Sequence, residues 1–159
     1  LPQIANLPDN LKVRELINMI KDLRTGKKAE DDQLIELFHL EAFMDKKLSN
    51  LSGGTKQKVN LVLTFMFDCP YVILDEPTTG LDPISHLRLK ELIKAEKAKG
   101  KTILITSHIM GFVEEIADEI VFLLEGKIYF KGSIGELKTK TKQPDFEHAI
   151  ASILTTSDA

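Results

Sequence analysis

The sequence predicts an α/β fold, with helices in the first third of the chain and a parallel sheet after it. Apolar residues recur at helical spacing through most of the first 67 residues. Two short, continuous apolar runs follow, "YVILDE" at 71–76 and "TILITSH" at 102–108, and such runs are typical of buried parallel strands. A helical pattern comes after each run, and strands that alternate with helices indicate a parallel sheet.

Three helices are predicted in the first third of the chain. The first carries apolar residues at helical spacing over 13–23, and the second covers about 30–40. "MDKKLSN" at 44–50 connects the second helix to the third, which begins behind Ser52 and a pair of glycines. Apolar residues lie on most faces of this third helix, so we expect it to be well buried.

The second part of the chain predicts four more helices and a hairpin. The Asp-Pro pair at 82–83 suits the start of a helix over about 84–99. "EIVFLL" and "KIYF" flank Glu-Gly at 125–126, which predicts a β-hairpin, and a capping box at 133–136 starts a short helix. The last helix covers about 146–154. The helix after the second strand is expected to face inward through Ile109, Phe112, Val113 and Ile116.

Composition excludes several classes of protein. The chain has 159 residues, enough for one domain with a sizeable core, and its net charge of −3 does not favour broad nucleic-acid binding. We therefore expect no nucleic-acid partner. The single Cys69 excludes an internal disulfide, and no apolar run approaches membrane-spanning length.

The stretch "LSGGTKQK" at 51–58 predicts an anion site. Ser52 is a good N-cap, whereas Gly53 and Gly54 are poor helix formers unless side chains would obstruct something there. Two glycines leave the first N–H groups of a helix bare, and such a terminus attracts phosphate.

The stretch "YVILDEPTTGLDP" at 71–83 places Asp75 and Glu76 at the end of a buried strand. Adjacent carboxylates are costly there for structure alone, and successive side chains point to opposite sides of a strand. One carboxylate can hold Mg²⁺ through its water shell while the other faces a nucleophilic water. The alternative is that Asp75 only caps the loop.

His108 follows Thr106 and Ser107 at the end of the next strand. Ligands bind at the carboxyl ends of strands in open α/β folds, and a histidine there can bind a phosphate and the attacking water. The alternative is an ordinary hydrogen-bonded loop histidine.

Taken together, these stretches resemble the motifs of ATP-binding-cassette (ABC) ATPases. "LSGGTKQK" resembles the family's LSGGQ signature, and "YVILDEPTTGLD" looks like its Walker B strand, catalytic glutamate and D-loop. "ITSH" is similar to the switch-histidine strand, and "LPQ" at residues 1–3 looks like the end of the Q-loop strand. The motifs occur in the family's order, which implies ATP and Mg²⁺ as cofactors.

The resemblance assigns nucleotide-binding roles by position. Gln3 would sense Mg²⁺ and link the nucleotide site to a permease. Ser52, Gly53 and Gly54 would grip the γ-phosphate of an ATP that a second ATPase subunit holds, in a two-subunit sandwich. Thr55 stands where the signature usually has Gln, and its hydroxyl can still donate a hydrogen bond.

The resemblance also implies the catalytic groups. Asp75 would coordinate Mg²⁺ through water, and Glu76 would be the general base. Asp82 would be the D-loop carboxylate at the dimer interface, and His108 would contact the γ-phosphate.

A Walker A loop, G-x-x-x-x-G-K-[ST], is not present in these 159 residues. We therefore expect a P-loop NTPase fragment: a Q-loop segment (1–10), a helical subdomain ending in the signature helix (11–67), and the Walker B half of the RecA-like core with hairpin and C-terminal helices (68–159). By resemblance, the Walker A strand lies between the strands at 102–106 and 119–124, which should then not pair directly. We expect the 159 residues by themselves to be inactive in an ATPase assay.

"EPTTGLDP" favours a transporter ATPase over the translation-factor branch of the superfamily. "LPQIANLPDNLKVRELI", "LSGGTKQKV" and "LITSHIMGFVEEIADEIVFLLEGKI" closely resemble the NosF-type ATPases, which support copper-centre maturation of nitrous oxide reductase. The alternatives are another export-type ATPase, a non-catalytic docking fragment and a nucleic-acid-linked cassette protein. The resemblance implies a cytoplasmic protein held at the inner face of the plasma membrane by its permease.

Overall fold

The computed structural model describes residues 1–2, 7–24, 26 and 28–157, and the chain divides into two compact units, Leu1–Thr106 and Ser107–Ala159. Within the described residues, each unit has its own two-stranded sheet. The predicted subdomain boundaries after residues 10 and 67 are a different division and stay predictions.

Three α-helices open the first unit: α1 (Val13–Leu23), α2 (Asp31–Leu37) and α3 (Gly53–Phe65). Two short 3-10 helices, Glu41–Phe43 and Leu48–Asn50, connect α2 to α3. The helices bury apolar stripes against one another, and α3 is well buried, as its sequence predicted. An ion pair between Lys21 of α1 and the buried Asp31 of α2 joins the first two helices, with both N–O distances 3.0 Å.

The second helix is shorter than the predicted 30–40. His39 adopts a left-handed conformation (φ 52°) and donates its N–H to the Glu36 carbonyl, while the Leu40 N–H reaches back to Ile35. These two bonds form a Schellman motif, which ends a helix. The predicted helix was too long because Phe38 and Leu40 are fully buried and so extend the apolar pattern beyond the end of the helix.

The first unit contains a parallel pair of strands, β1 (Tyr71–Asp75) and β2 (Thr102–Thr106), joined by helix α4 (Pro83–Ala98). The register places Tyr71 opposite Thr102 and Asp75 opposite Thr106. The predicted parallel sheet is therefore confirmed. The backbone of Leu1 bonds to β1 as well, through the Ile73 carbonyl (2.7 Å) and the Asp75 N–H (2.9 Å).

One face of this sheet is apolar and open to solvent. Tyr71, Ile73 and Leu104 are 75%, 63% and 61% exposed, whereas Val72 and Leu74 are buried on the opposite face. α4 packs next to β2 with Leu89 and Ile93 buried. The sheet thus has a covered face and an uncovered one within its own unit.

The second unit comprises α5 (Met110–Ile116), the antiparallel hairpin β3 (Ile120–Leu124) and β4 (Lys127–Gly132), then α6 (Ile134–Thr141) and α7 (Phe146–Ser157). Its core consists of apolar residues from the hairpin and the last two helices: Ile120, Phe130, Leu137, Phe146, Ala149 and Ile150.

The predicted hairpin and capping box are confirmed. Glu125 and Gly126 both have positive φ (47° and 75°), as the tight turn of a hairpin requires, and Ser133 and Glu136 cap α6 reciprocally. Ile109 was predicted to face inward. It is 38% exposed, because it is the N-cap residue that precedes α5.

Among the described residues, the two sheets have two strands each: β2 pairs with β1, and β3 pairs with β4. This agrees with the expectation that the strands at 102–106 and 119–124 do not pair directly. In the part of the chain that is described, every helix is too short or too polar to cross a membrane.

Candidate functional site

The N-terminus of α3 is built as its sequence predicted. Ser52 is the N-cap, and its Oγ accepts a hydrogen bond from the Thr55 N–H at 3.2 Å. The hydroxyls of Ser52 and Thr55 are also hydrogen-bonded, with their oxygens 2.8 Å apart. Thr55 therefore supports the cap from the position where the signature usually has Gln. Ser52 and Gly53 are exposed, so the first turn of the helix is accessible to a ligand.

Glycine suits the two positions in this turn for different physical reasons. A Cβ on Gly54 would lie 2.3 Å from the carbonyl oxygen of Gly80, so the backbones of α3 and the 76–82 loop touch there. A Cβ on Gly53 would meet nothing within 4 Å. Gly54 is thus required for packing, and Gly53 leaves open space where an anion can approach the helix terminus.

The 76–82 loop is held against α3 by a second contact. Gln57 is buried, and its Nε2 donates a hydrogen bond to the Pro77 carbonyl at 3.1 Å. Glu76 precedes this carbonyl and adopts φ 44°, a left-handed conformation that costs a non-glycine residue about 1–2 kcal/mol. Such strain persists only where the surroundings fix the backbone. Two hydrogen bonds fix the backbone here: the one from Gln57 to the Pro77 carbonyl, and the one from the Glu76 N–H to the Thr106 carbonyl.

Asp82 ends the loop and serves as the N-cap of α4. Its Oδ1 accepts from the Ser85 N–H at 2.9 Å, and its Oδ2 accepts from the Ser85 hydroxyl at 2.8 Å. The Lys58 ammonium of α3 lies 2.6 Å from Oδ2. Lys58, with the two Ser85 donors, holds the pKa of the Asp82 carboxyl well below its usual range. Both Asp82 oxygens are therefore engaged within its own unit, and a role at a dimer interface stays a prediction.

Asp75 and Glu76 meet Thr106 at the carboxyl end of the parallel strands. The Thr106 hydroxyl donates to Asp75 Oδ1, and the Glu76 N–H donates to Thr106 Oγ1 at 3.2 Å and to the Thr106 carbonyl at 3.1 Å. The structure thus brings the predicted metal ligand and the predicted base to one residue of β2. Sequence reasoning noted Thr106 only as a polar neighbour of His108.

Two predicted site residues are not placed by this geometry. His108 is an exposed loop residue of the second unit, between Ser107 and α5, and its role toward phosphate stays a prediction. Gln3 lies outside the described residues.

Asp75 and the open space at Gly53 fit a magnesium ion that is bound together with a nucleotide. No group of three or more His, Cys, Asp or Glu side chains in the described residues could hold a metal. Mg²⁺ is commonly bound by one or two carboxylates together with substrate phosphates, and Asp75 supplies such a carboxylate. The open space at Gly53 likewise fits a phosphate oxygen.

Comparisons with known proteins match this chain to ATP-binding proteins of ABC transporters. Residues 1–79 match the protein family described as ABC transporter. The chain is 37% identical over 136 residues to the Nod factor export ATP-binding protein I of Rhizobium meliloti, which covers 83% of this chain and 41% of that protein. It is 31% identical over 127 residues to the ABC transporter ATP-binding protein NatA of Bacillus subtilis, covering 80% and 52%.

A solved structure titled as the ATP binding subunit of an ABC transporter superposes with a TM-score of 0.88 and 28% identity, over 96% of this chain and 66% of that one. The fold prediction is therefore confirmed. The chain spans about half or less of the length of the curated relatives named above.

The glycine pair can be tested by two matched substitutions. Gly54→Ala should lower the free energy of unfolding by about 1–3 kcal/mol, because its methyl group would overlap the Gly80 carbonyl. Gly53→Ala should be neutral or stabilising by up to about 1 kcal/mol, because alanine is the better helix former and the space is open. Urea denaturation of both variants measures the difference, and equal effects would contradict the packing role of Gly54.

The Lys58–Asp82 pair should give a pH-dependent contribution to stability. Because the pKa of Asp82 is lowered in the folded protein, its stabilising effect is present above the unfolded value of about 4 and is lost as the pH falls below it. We expect Asp82→Asn to lower the free energy of unfolding by up to about 1 kcal/mol at pH 7. This deficit should shrink as the pH falls below about 4. Denaturation of both proteins across this range measures it. In a Lys58→Met background the deficit should be smaller throughout, and an unchanged deficit would contradict the pairing.

Proposed function

We propose that this chain, which carries ABC transporter ATP-binding domain sequence, is part of an ATP-hydrolysing subunit that energises an export-type transporter. Its homologues are ABC transporter ATP-binding proteins. The observation that carries the proposal is the meeting of Asp75, Glu76 and Thr106 at the carboxyl end of two parallel strands. Ligands bind at this edge in open α/β folds.

The residues divide the work of hydrolysis in this proposal. Glu76 accepts a proton from the attacking water, and Asp75 would hold magnesium through its water shell. Bound magnesium would neutralise charge on the phosphates as the terminal group is transferred. The left-handed backbone at Glu76 turns the chain sharply after β1, so its carboxylate leaves the direction in which a regular strand would carry it.

A second ATPase subunit completes the site in this proposal. The exposed Ser52 and Gly53 at the start of α3 suit the γ-phosphate of an ATP held mainly by that partner, because a bare helix N-terminus favours negative charge. His108 is proposed to contact the γ-phosphate of ATP.

A membrane-embedded permease is the other proposed partner, and it would hold the protein at the cytoplasmic face of the membrane. Met19 and Leu23 lie one turn apart on α1 and are 39% and 73% exposed. By the family resemblance, the helical region at about 11–67 meets the cytoplasmic helices of the permease. The pair provides apolar surface on that region beyond what the packing of α1 requires.

For the transported substrate, we propose only the branch of transporters to which the protein belongs. Similarity to a Nod factor export ATP-binding protein supports an export-type transporter. The finer NosF-type assignment, and with it a link to the copper centres of nitrous oxide reductase, rests on the three sequence stretches quoted above. The genes adjacent to this one would distinguish the two, because a nitrous oxide reductase cluster would favour the NosF-type assignment.

A non-catalytic docking module is the alternative from a different class. The full-length gene sequence discriminates, since an upstream Walker A motif would favour the enzyme and its absence the docking role.

The general base can be tested in the full-length protein. Glu76→Gln should lower ATP turnover by ~100-fold or more, because the amide cannot accept the proton, while ATP remains bound and the two-subunit form accumulates. Turnover and size-exclusion chromatography with ATP measure the two effects. Glu91→Gln, an exposed change on α4, is the matched control and should leave both unchanged. Near-normal turnover in Glu76→Gln would show that Glu76 is not the base.

The permease contact can be tested on α1. Met19→Ser with Leu23→Ser should abolish co-purification with the permease while leaving the subunit folded, because both side chains are partly or largely exposed. Asn18→Ser, an exposed change on the same helix, is the control. Unchanged co-purification of the double variant would place the permease contact elsewhere.

A further inference from the structure

Thr106 joins the two carboxylate-bearing residues that the proposed function depends on. The strand register sets Thr106 directly opposite Asp75. Its hydroxyl donates a hydrogen bond to Asp75 Oδ1 and accepts one from the Glu76 N–H at 3.2 Å. One hydroxyl therefore contacts the side chain of the first residue and the backbone of the next.

A hydroxyl makes both contacts from a single atom at this position. A hydroxyl is a donor and an acceptor at once, whereas an aliphatic side chain is neither. The donated bond engages one oxygen of Asp75 and so fixes the rotation of its carboxylate. The accepted bond, together with the one from the Glu76 N–H to the Thr106 carbonyl at 3.1 Å, fixes the backbone where Glu76 adopts φ 44°.

The neighbouring hydroxyl is used differently. Ser107 Oγ accepts a hydrogen bond from the Ile109 N–H at 3.2 Å and so shapes the loop before α5. Two adjacent hydroxyl residues thus have separate tasks, and the one on β2 is directed to Asp75 and Glu76.

We propose that Thr106 is a positioning residue for ATP hydrolysis: its hydroxyl orients Asp75 toward magnesium and holds the backbone of Glu76, so that metal ligand and general base keep a fixed relative placement. The proposal rests on the proposed function. Thr106 acts through Asp75 and Glu76, and residues that orient metal ligands in this way commonly change metal affinity by about 10-fold or more when removed.

The test uses the full-length protein and three variants. Thr106→Val keeps the shape and suits a strand but lacks the hydroxyl, whereas Thr106→Ser keeps the hydroxyl. Thr102→Val makes the same change at the opposite end of β2 and is the matched control. Mn²⁺ binding in the presence of ADP, followed by electron paramagnetic resonance, is the main readout. ADP binding without metal, the melting temperature and the Mg²⁺ dependence of turnover accompany it.

We expect Thr106→Val to raise the Mn²⁺ dissociation constant by about 10-fold while metal-free ADP binding stays at the wild-type value. The melting temperature should fall by only a few degrees, because the Glu76 N–H keeps its hydrogen bond to the Thr106 carbonyl. Turnover should then require more Mg²⁺ and reach a lower maximum. Thr106→Ser and Thr102→Val should behave like the wild type.

Wild-type Mn²⁺ affinity in Thr106→Val would overturn the positioning role while leaving the proposed function intact. A loss that serine does not rescue, or that is accompanied by loss of metal-free ADP binding, would also overturn it, because the role would then be structural. Failure of the wild-type protein to bind Mn²⁺ with ADP would overturn the proposed function, and this inference with it.

Discussion

The close approach of two backbones, at Gly54 of α3 and Gly80 of the loop after β1, is the constraint on which the rest of the site depends. No side chain larger than hydrogen fits at Gly54, because a Cβ would lie 2.3 Å from the Gly80 oxygen. The contact brings the start of α3 against the loop that begins at Glu76. The Gln57–Pro77 hydrogen bond and the Lys58–Asp82 ion pair then fasten the same two segments on either side. The helix terminus suited to phosphate and the loop that carries Glu76 are thus one packed element.

Charge is distributed along this element in a way that suits its chemistry. Asp82 forms an ion pair with Lys58 and caps the N-terminus of α4, where a negative charge is favourable. Asp75 instead accepts a hydrogen bond from a neutral donor, the Thr106 hydroxyl. A carboxylate paired with lysine would be a poorer magnesium ligand, because the ammonium would compete with the ion. In the proposed function, this difference in partners suits Asp75 to the magnesium role and Asp82 to a structural one.

Each unit also leaves an apolar sheet face uncovered. In the first, Tyr71, Ile73 and Leu104 are exposed, and in the second Val121, Leu123 and Ile128 are. Two-stranded sheets are marginal by themselves and need cover on an apolar face. The chain spans 66% of the related ATP-binding subunit, so the relative contains further chain that these residues do not include.

The sequence by itself determined the element types, the parallel pairing of β1 with β2, the hairpin at Glu125 and Gly126, and the caps of α3, α4 and α6, because periodicity and capping are local in the chain. The prediction from sequence extended α2 too far, past Phe38 to Leu40. Both residues are buried although they lie beyond the helix end, and an apolar pattern indicates burial rather than backbone conformation. Only the tertiary structure decided the partners of the site: Gly80 for Gly54, Lys58 for Asp82, and Thr106 for Asp75 and Glu76. These pairs are between 24 and 31 residues apart in the chain, and such contacts depend on strand register and helix packing, which no local pattern encodes.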